Sequence, residues 1–313
     1  MEKRREMLAS IRKTLEECGF ELSVQMETGS LCFDIMARKE TILIIIKVLQ
    51  NVDSQSQGSA DELKSLGFFL KGIPLLIGER STKSKIETGV LYLRHGITIL
   101  NFETLRDFLM DGVPPVAFSA PGGFYVEVDG EKLRNLRELR GVSYGDLSRV
   151  VGVSRKSIQM YESGKSASID IGLRMEEYFQ DQIIRPLNPL VHKPEAYTMI
   201  REGSIELDKD EREVYKHLED IGYSVRPTVK CPFHAYTHKP SSVILTAVGD
   251  RDLRIKNRLR TLSDIANISK RDAIVIATKK GVSVKEVDIP VVKKEVLKKM
   301  EDPDEIMDFI KNY

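Results

Sequence analysis

Three sets of side chains in this 313-residue chain have the types and spacing to do chemistry. The first lies in SRKSIQMYES, Ser154 to Ser163, where Ile158 and Tyr161 fall three apart on one side of a helix. Arg155, Lys156 and Gln159 are left on the outside, a face with donors, positive charge and no carboxylate. A helix fits the major groove of duplex DNA and its N-terminal residues reach base edges, so Arg155 and Lys156 are the expected readers. The second set is Asp34 in FDI and Lys47 in IIIK, a carboxylate and an ammonium on neighbouring strands. The third is Cys231, His234 and His238 in CPFHAYTH, whose spacing suits zinc but which lacks a nearby fourth Cys or His. A turn or edge strand is the simpler reading of that segment, given Pro232 and Pro240, and no metal is expected there.

The elements that must position the first set are legible around it. Leu133, Leu136 and Arg140 follow helical spacing, and Gly141 ends that helix where a positive φ is easiest. Ser143 is the expected N-cap of a second helix with Leu147, Val150 and Val151 inside. Gly152 and Val153 make the turn, and Ser154 caps the third helix. Gly130 to Ser166 holds eight Lys or Arg against four Asp or Glu in a chain of net charge +1, which concentrates positive charge where phosphate binding needs it.

Leu147, Gly152, Val153, Ser154, Ile158, Tyr161, Glu162, Gly164 and Lys165 match an L…GVS…I…YE.GK pattern. Through it the segment resembles the lambda-repressor-like (Cro-type) helix-turn-helix family. The resemblance implies a bundle of four or five helices, with Ser168 to Phe179 as the next, and binding of double-stranded DNA as a dimer on a two-fold operator. By position it implies that Arg155, Lys156 and Met160 face bases, and that Tyr144, Ser157 and Lys165 approach phosphates. The family often has Gln where Tyr144 stands.

With 41% hydrophobic and 30% charged residues the chain can bury a core, and its length calls for two or three domains. Cys18, Cys32 and Cys231 are odd in number and scattered, which argues against a disulfide framework and for a reducing compartment. No apolar run reaches the roughly 20 residues that span a bilayer, and MEKRREMLAS lacks an apolar stretch behind its charges, so a cytoplasmic protein without a membrane partner is expected.

On either side of the basic segment the period changes. Glu2 to Cys18 reads as a helix. Phe20 to Gln25, Leu31 to Met36, Thr41 to Leu49, Pro74 to Ile77, Val90 to Leu93 and Ile97 to Leu100 read as strands, with helices at Asp61 to Leu66 and Phe102 to Met110. DGVPPVAFSAPGG and RPLNPLVHKP mark boundaries. The expected layout is an α/β domain over 1–112, a linker and strand over 113–128, an all-α helix-turn-helix domain over 129–184, a linker over 185–200, and a second α/β domain over 201–313. LEECGFELSVQ and LEDIGYSVRPT begin similar orders of elements, so the second α/β domain reads as a duplicate of the first.

The first α/β domain resembles the restriction-endonuclease-like fold of Holliday junction resolvases. The resemblance implies an Asp on one strand and an acid-x-Lys triplet on the next, which hold a divalent ion against the attacked phosphate. Asp34 and Lys47 match, but Ile45 stands where the acid belongs; in the second copy His234 and Thr246 or Ala247 occupy comparable places. Both copies therefore read as non-catalytic. The alternative is a metal-dependent nuclease using Asp34 and Lys47, with Glu16, Glu17 or Glu40 substituting for the acid. A second alternative is an adaptor that binds protein or a small ligand, and an effector is compatible with the layout. RDLRIKNRLR places Arg251, Arg254 and Arg258 on one helical face as further phosphate contacts. Nothing resembles a phosphate loop, a dinucleotide fingerprint or a nucleophile motif, so neither enzyme activity nor a cofactor is expected. The whole layout also resembles a group of archaeal transcriptional regulators with a central helix-turn-helix.

Overall fold

The computed structural model describes residues 2–24, 31–191, 205–249, 253–278 and 288–313, with backbone only for 253–258. The chain begins with α1 (Glu2–Glu17), β1 (Glu21–Leu22), β2 (Ile35–Lys39), β3 (Ile42–Asn51), α2 (Gln57–Leu70), β4 (Ile73–Arg80), β5 (Val90–Arg94), β6 (Ile97–Leu100) and α3 (Phe102–Met110). It continues through β7 (Ala117–Ala120), β8 (Gly123–Val128), α4 (Gly130–Leu139), α5 (Tyr144–Val151), α6 (Arg155–Glu162), β9 (Ala167–Ser168), α7 (Ile169–Phe179) and β10 (Ile184–Arg185). The last stretch holds α8 (Lys209–Asp220), β11 (Ser224–Pro227), β12 (Ala235–Lys239), β13 (Ser242–Gly249), α9 (Leu253–Ser269), β14 (Asp272–Ala277), β15 (Val291–Lys293), α10 (Lys294–Leu297) and α11 (Pro303–Lys311).

These elements form two compact units. One comprises Met1–Met7, Leu49–Ser54 and Leu76–His192; the other comprises Leu8–Val48, Gln55–Leu75 and Lys193–Tyr313. In the first, strands lie in the order β6-β5-β7-β8-β10, with β9 also on β8, and α4 to α7 pack beside them. In the second, β1, β2 and β3 form an antiparallel meander, and a separate sheet has the order β11-β12-β13-β14-β15.

The run ILIIIKV in β3 has no alternation because Leu43 to Val48 are buried throughout, as a strand covered on both faces must be. The two meanders of the second unit match closely. Ile35 faces Ile46 and Lys39 faces Ile42; Ala235 faces Thr246 and Lys239 faces Ser242, each position 200 residues on. Asp34 N–H donates to the Ile46 carbonyl and His234 N–H to that of Thr246, both at 2.8 Å. Lys39 sits over the Phe20 ring at 5.9 Å, and Lys239 over the Tyr223 ring at 5.5 Å. After each meander comes a helix, α2 or α9, and then a strand, β4 or β14.

Several elements differ from expectation. The expected strand over 31–36 begins only at Ile35, because Cys32 N–H donates to the carbonyl of Lys230 and the chain joins the ladder from Asp34 onward. β1 is limited to two residues of the expected 20–25, of which Gln25 lies outside the described residues. α2 is longer than 61–66, since Ser56 caps it by accepting from Ser59 N–H and Lys71 ends it at φ +54°. Ala117–Ala120, within the stretch read as a linker and strand, pairs with both β5 and β8. Among the described residues no helix is long and apolar enough to cross a membrane.

Candidate nucleic-acid interface

The basic segment folds as its caps require. Asp129 accepts from Lys132 N–H at 3.0 Å to start α4, Ser143 accepts from Asp146 N–H at 3.1 Å to start α5, and Ser154 accepts from Ser157 N–H at 3.0 Å to start α6. Gly152 closes α5 at φ +79°, and Gly141 follows α4 at φ +63°, both in the left-handed region. Gly130 is required for a different reason. A Cβ there would stand 2.5 Å from the Glu162 carbonyl oxygen and 2.6 Å from that of Tyr161, so the start of α4 lies directly on the end of α6.

Leu133, Leu147, Val151, Ile158, Tyr161, Met175 and Phe179 form one core with Val126 and Val128 of β8. Val150 was expected inside and is instead 49% exposed, because in α5 the buried stripe runs through Leu147 and Val151. Four helices, α4 to α7, make up the helical part, and α7 starts at Ile169 with Ser168 as its N-cap residue. Its C-terminal carbonyls, of Tyr178 and Phe179, receive the Arg140 guanidinium, a cation placed where the helix dipole favours one.

Beneath the exposed face of α6 is a buried charge pair. Glu162, with 1% of its side chain exposed, accepts from Arg137 Nε at 2.5 Å on Oε1 and from Arg137 Nη2 at 3.2 Å on Oε2. The Tyr144 hydroxyl donates to Oε2 at 2.9 Å, and the Arg137 guanidinium lies over the Tyr144 ring at 4.1 Å. Arg134 Nε stands 3.5 Å from the same oxygen. Burial works to raise the Glu162 carboxyl, yet the bonds from Arg137 and Tyr144 hold it below the usual carboxylate range. The bond to Glu162 in turn lifts Arg137 above its ordinary value. Arg137 was not singled out by sequence spacing. Its partner is 25 residues away, and only the YE pair in the motif hints at it.

Arg155, Lys156, Gln159, Met160 and Lys165 are all exposed. The Arg155 guanidinium lies across Gly145, where a Cβ would come within 3.1 Å of Nη2. Ser157 is half-buried, its hydroxyl 2.9 Å from that of Ser154. Tyr144 is half-buried and turned toward Glu162. Arg251 lies outside the described residues, as do the side chains of Arg254 and Arg258 within α9.

Residues 133–180 match the helix-turn-helix family, and residues 4–115 match the PD-(D/E)XK superfamily domain. Over the full length, the chain is 34% identical across 313 residues to a proposed HTH-type transcriptional regulatory protein of Pyrococcus horikoshii, covering 99% of this chain and 98% of that one. Proteins of the same description from Archaeoglobus fulgidus (36% over 274 residues, 87% of each chain) and Methanocella arvoryzae (32% over 310 residues, 98% and 96%) are similar. The chain belongs to this archaeal family of HTH-type transcriptional regulatory proteins. No solved structure matches it.

Asp34, the residue before β2, lies beside Lys47 of β3. Asp34 Oδ1 is 3.4 Å from Lys47 Nζ, Oδ2 accepts from Val48 N–H at 2.8 Å, and Lys47 Nζ donates to the Leu31 carbonyl at 2.7 Å. Both side chains are under a tenth exposed. Ile45, two residues before Lys47, is fully buried and cannot ligate an ion. This set does not fit a catalytic Mg²⁺. At the corresponding place in the second meander, His234 Nδ1 accepts from Val248 N–H at 2.9 Å, and Ala247 stands where Lys47 does. The third set does not assemble either. His238 packs on the Phe69 ring at 5.0 Å, with burial pushing its pKa down, while Cys231 is placed beside Cys32 and Glu62.

Proposed function

We propose that the chain regulates transcription in the cytoplasm as a homodimer, reading the major groove with α6. The observation that carries this is the exposed, carboxylate-free face of Arg155, Lys156, Gln159 and Met160, on a helix whose opposite face is fixed by Ile158, Tyr161 and the Arg137–Glu162 pair. Arg155 and Lys156 occupy the first two positions of α6, where a recognition helix meets base edges. Lys165 and Ser157 flank that face and contact phosphates. Tyr144, tied to Glu162, contributes to backbone contact chiefly by holding α6 in place.

The length of α6 supports a dimer. A helix of eight residues is about 12 Å long and spans only three to four base pairs, too few to define an operator, so a second copy supplies the other half-site. The helix-turn-helix over 129–184 is set between an α/β domain over 1–112 and another over 201–313, with 113–128 and 185–200 connecting them. The shared register of β2–β3 and β12–β13 supports reading the second as a repeat of the first.

Neither α/β fold cleaves DNA in this reading. What supports that is the Ile45 side chain in place of an acid, together with an Asp34 carboxylate already bonded to Lys47 and to the Val48 N–H. The deciding experiment offers full-length protein a labelled random DNA pool, with and without Mg²⁺ or Mn²⁺. Enrichment of a two-fold sequence without cleavage supports the reading. Metal-dependent cleavage that Asp34→Asn abolishes replaces it with the nuclease, and no enrichment at all favours the adaptor.

A further inference from the structure

Cys32, Glu62 and Cys231 come from three separate stretches of the chain: the loop before β2, the middle of α2 and the loop before β12. They converge in the second unit. Their ligand atoms all lie within 4.8 Å of one another. Cys32 is 0% exposed, Cys231 2% and Glu62 6%. The two Sγ atoms are 3.7 Å apart. With zinc–sulfur bonds of about 2.3 Å and a tetrahedral angle, two thiolates on one ion stand about 3.8 Å apart.

We propose that Cys32, Cys231 and Glu62 bind one zinc-class divalent cation that pins the meander at β2 to the meander at β12. The surroundings are built as such a site needs. Glu62 Oε1 accepts from Val229 N–H at 2.9 Å and Oε2 from Lys230 N–H at 2.7 Å, while Cys32 N–H donates to the Lys230 carbonyl at 2.9 Å. These bonds orient the carboxylate and the cysteine loop, as second-layer partners of metal ligands do. They use two of the four lone-pair directions of the carboxylate and leave two. A dication with two thiolates and one carboxylate carries one net negative charge. Three protein ligands leave the fourth tetrahedral position to water.

Two soft thiolates select zinc, cobalt or cadmium over magnesium, calcium or manganese. Cysteine ligates as thiolate, so uptake of the ion displaces the thiol protons and weakens as pH falls. The site is distinct from the Cys231, His234 and His238 set suggested by spacing, since His234 Nδ1 is bonded to the Val248 N–H.

The test uses full-length protein stripped with chelator under reducing conditions and titrated with Co²⁺, then competed with Zn²⁺. The expected result is one Co²⁺ per chain, a thiolate-to-cobalt absorption in the near ultraviolet, its loss on adding Zn²⁺, and a rise in melting temperature with Zn²⁺ but not Mg²⁺. Cys231→Ser should lose the absorption. Glu62→Gln, which keeps both thiolates, should keep the absorption and weaken binding. If either variant fails to fold, the wild-type titration still decides. Wild-type protein that takes up no stoichiometric Co²⁺, or whose two thiols instead oxidise to a disulfide that Zn²⁺ does not prevent, overturns the site, as does uptake unchanged in Cys231→Ser.

Discussion

Arg137 of α4 and Glu162 of α6 form a two-pronged ion pair, Nε to Oε1 at 2.5 Å and Nη2 to Oε2 at 3.2 Å, beneath the exposed face of the helix proposed to read DNA. The pair fixes the C-terminal end of α6 while Ser154 fixes its start. The placement of Arg155 and Lys156 thus depends on a buried pair at the other end of the helix. Removing Glu162 leaves the buried Arg137 charge with only 3.4 Å contacts to the exposed Glu138 and to the Val142 carbonyl, and breaking a buried pair costs about 3–5 kcal/mol. Glu162→Ala should lower the unfolding free energy of the helical part by that order, measured by denaturant titration. A double variant, Arg137→Met with Glu162→Leu, should recover most of the loss, because no charge is then stranded.

Acid should act through the same carboxyl. Its folded pKa lies below its ordinary value of 4.5, so the stabilisation is complete above about pH 4.5 and is lost as pH falls through the folded value. Melting temperature should fall on that acid side. In Glu162→Gln the fall attributable to this group should vanish, leaving a flatter profile from a lower starting point.

Gly130→Ala should destabilise, although Ala is the better helix former. Its Cβ would meet the backbone oxygens of Glu162 and Tyr161 at 2.5 and 2.6 Å, and backbone cannot swing aside as a side chain can. Overpacking of this kind costs about 1–3 kcal/mol. A melting temperature equal to or above the wild type would show that α4 does not seat on α6 as described.

Phosphate and base contacts should separate by salt. Lys165→Ala should weaken binding to all sequences alike and reduce the slope of log affinity against log salt by about 1. Arg155→Ala should cost about 1–3 kcal/mol on the selected sequence and little on unrelated DNA.

The helix-turn-helix was legible because local chemistry decides it. Ser143 and Ser154 as caps, Gly152 at positive φ, and Leu147 with Ile158 inside are all set by neighbours within a few residues. The likeness of the two meanders was legible through LEECGF and LEDIGY, whose aromatic residues, Phe20 and Tyr223, each lie beneath a lysine. What spacing could not give was anything joining distant stretches. Arg137 and Glu162 look like ordinary surface charges of amphipathic helices until the fold buries them. Cys32 and Cys231, separated by 199 residues, carry no common signal. The strand expected over 31–36 failed for a similar reason: Cys32 and Phe33 are apolar because they are buried in a loop, with Cys32 bonded to Lys230.

The most direct measurement selects bound sequences from a random DNA pool with the full-length protein, then compares wild type with Arg155→Ala, Lys156→Ala double variant by fluorescence anisotropy. The expected result is a two-fold site with half-sites about one helical turn apart, bound with a steep salt dependence, on which the double variant loses preference while its residual non-specific binding stays. Unchanged affinity and preference in the double variant, or binding nearly independent of salt, would contradict the assignment of α6 as the reading helix.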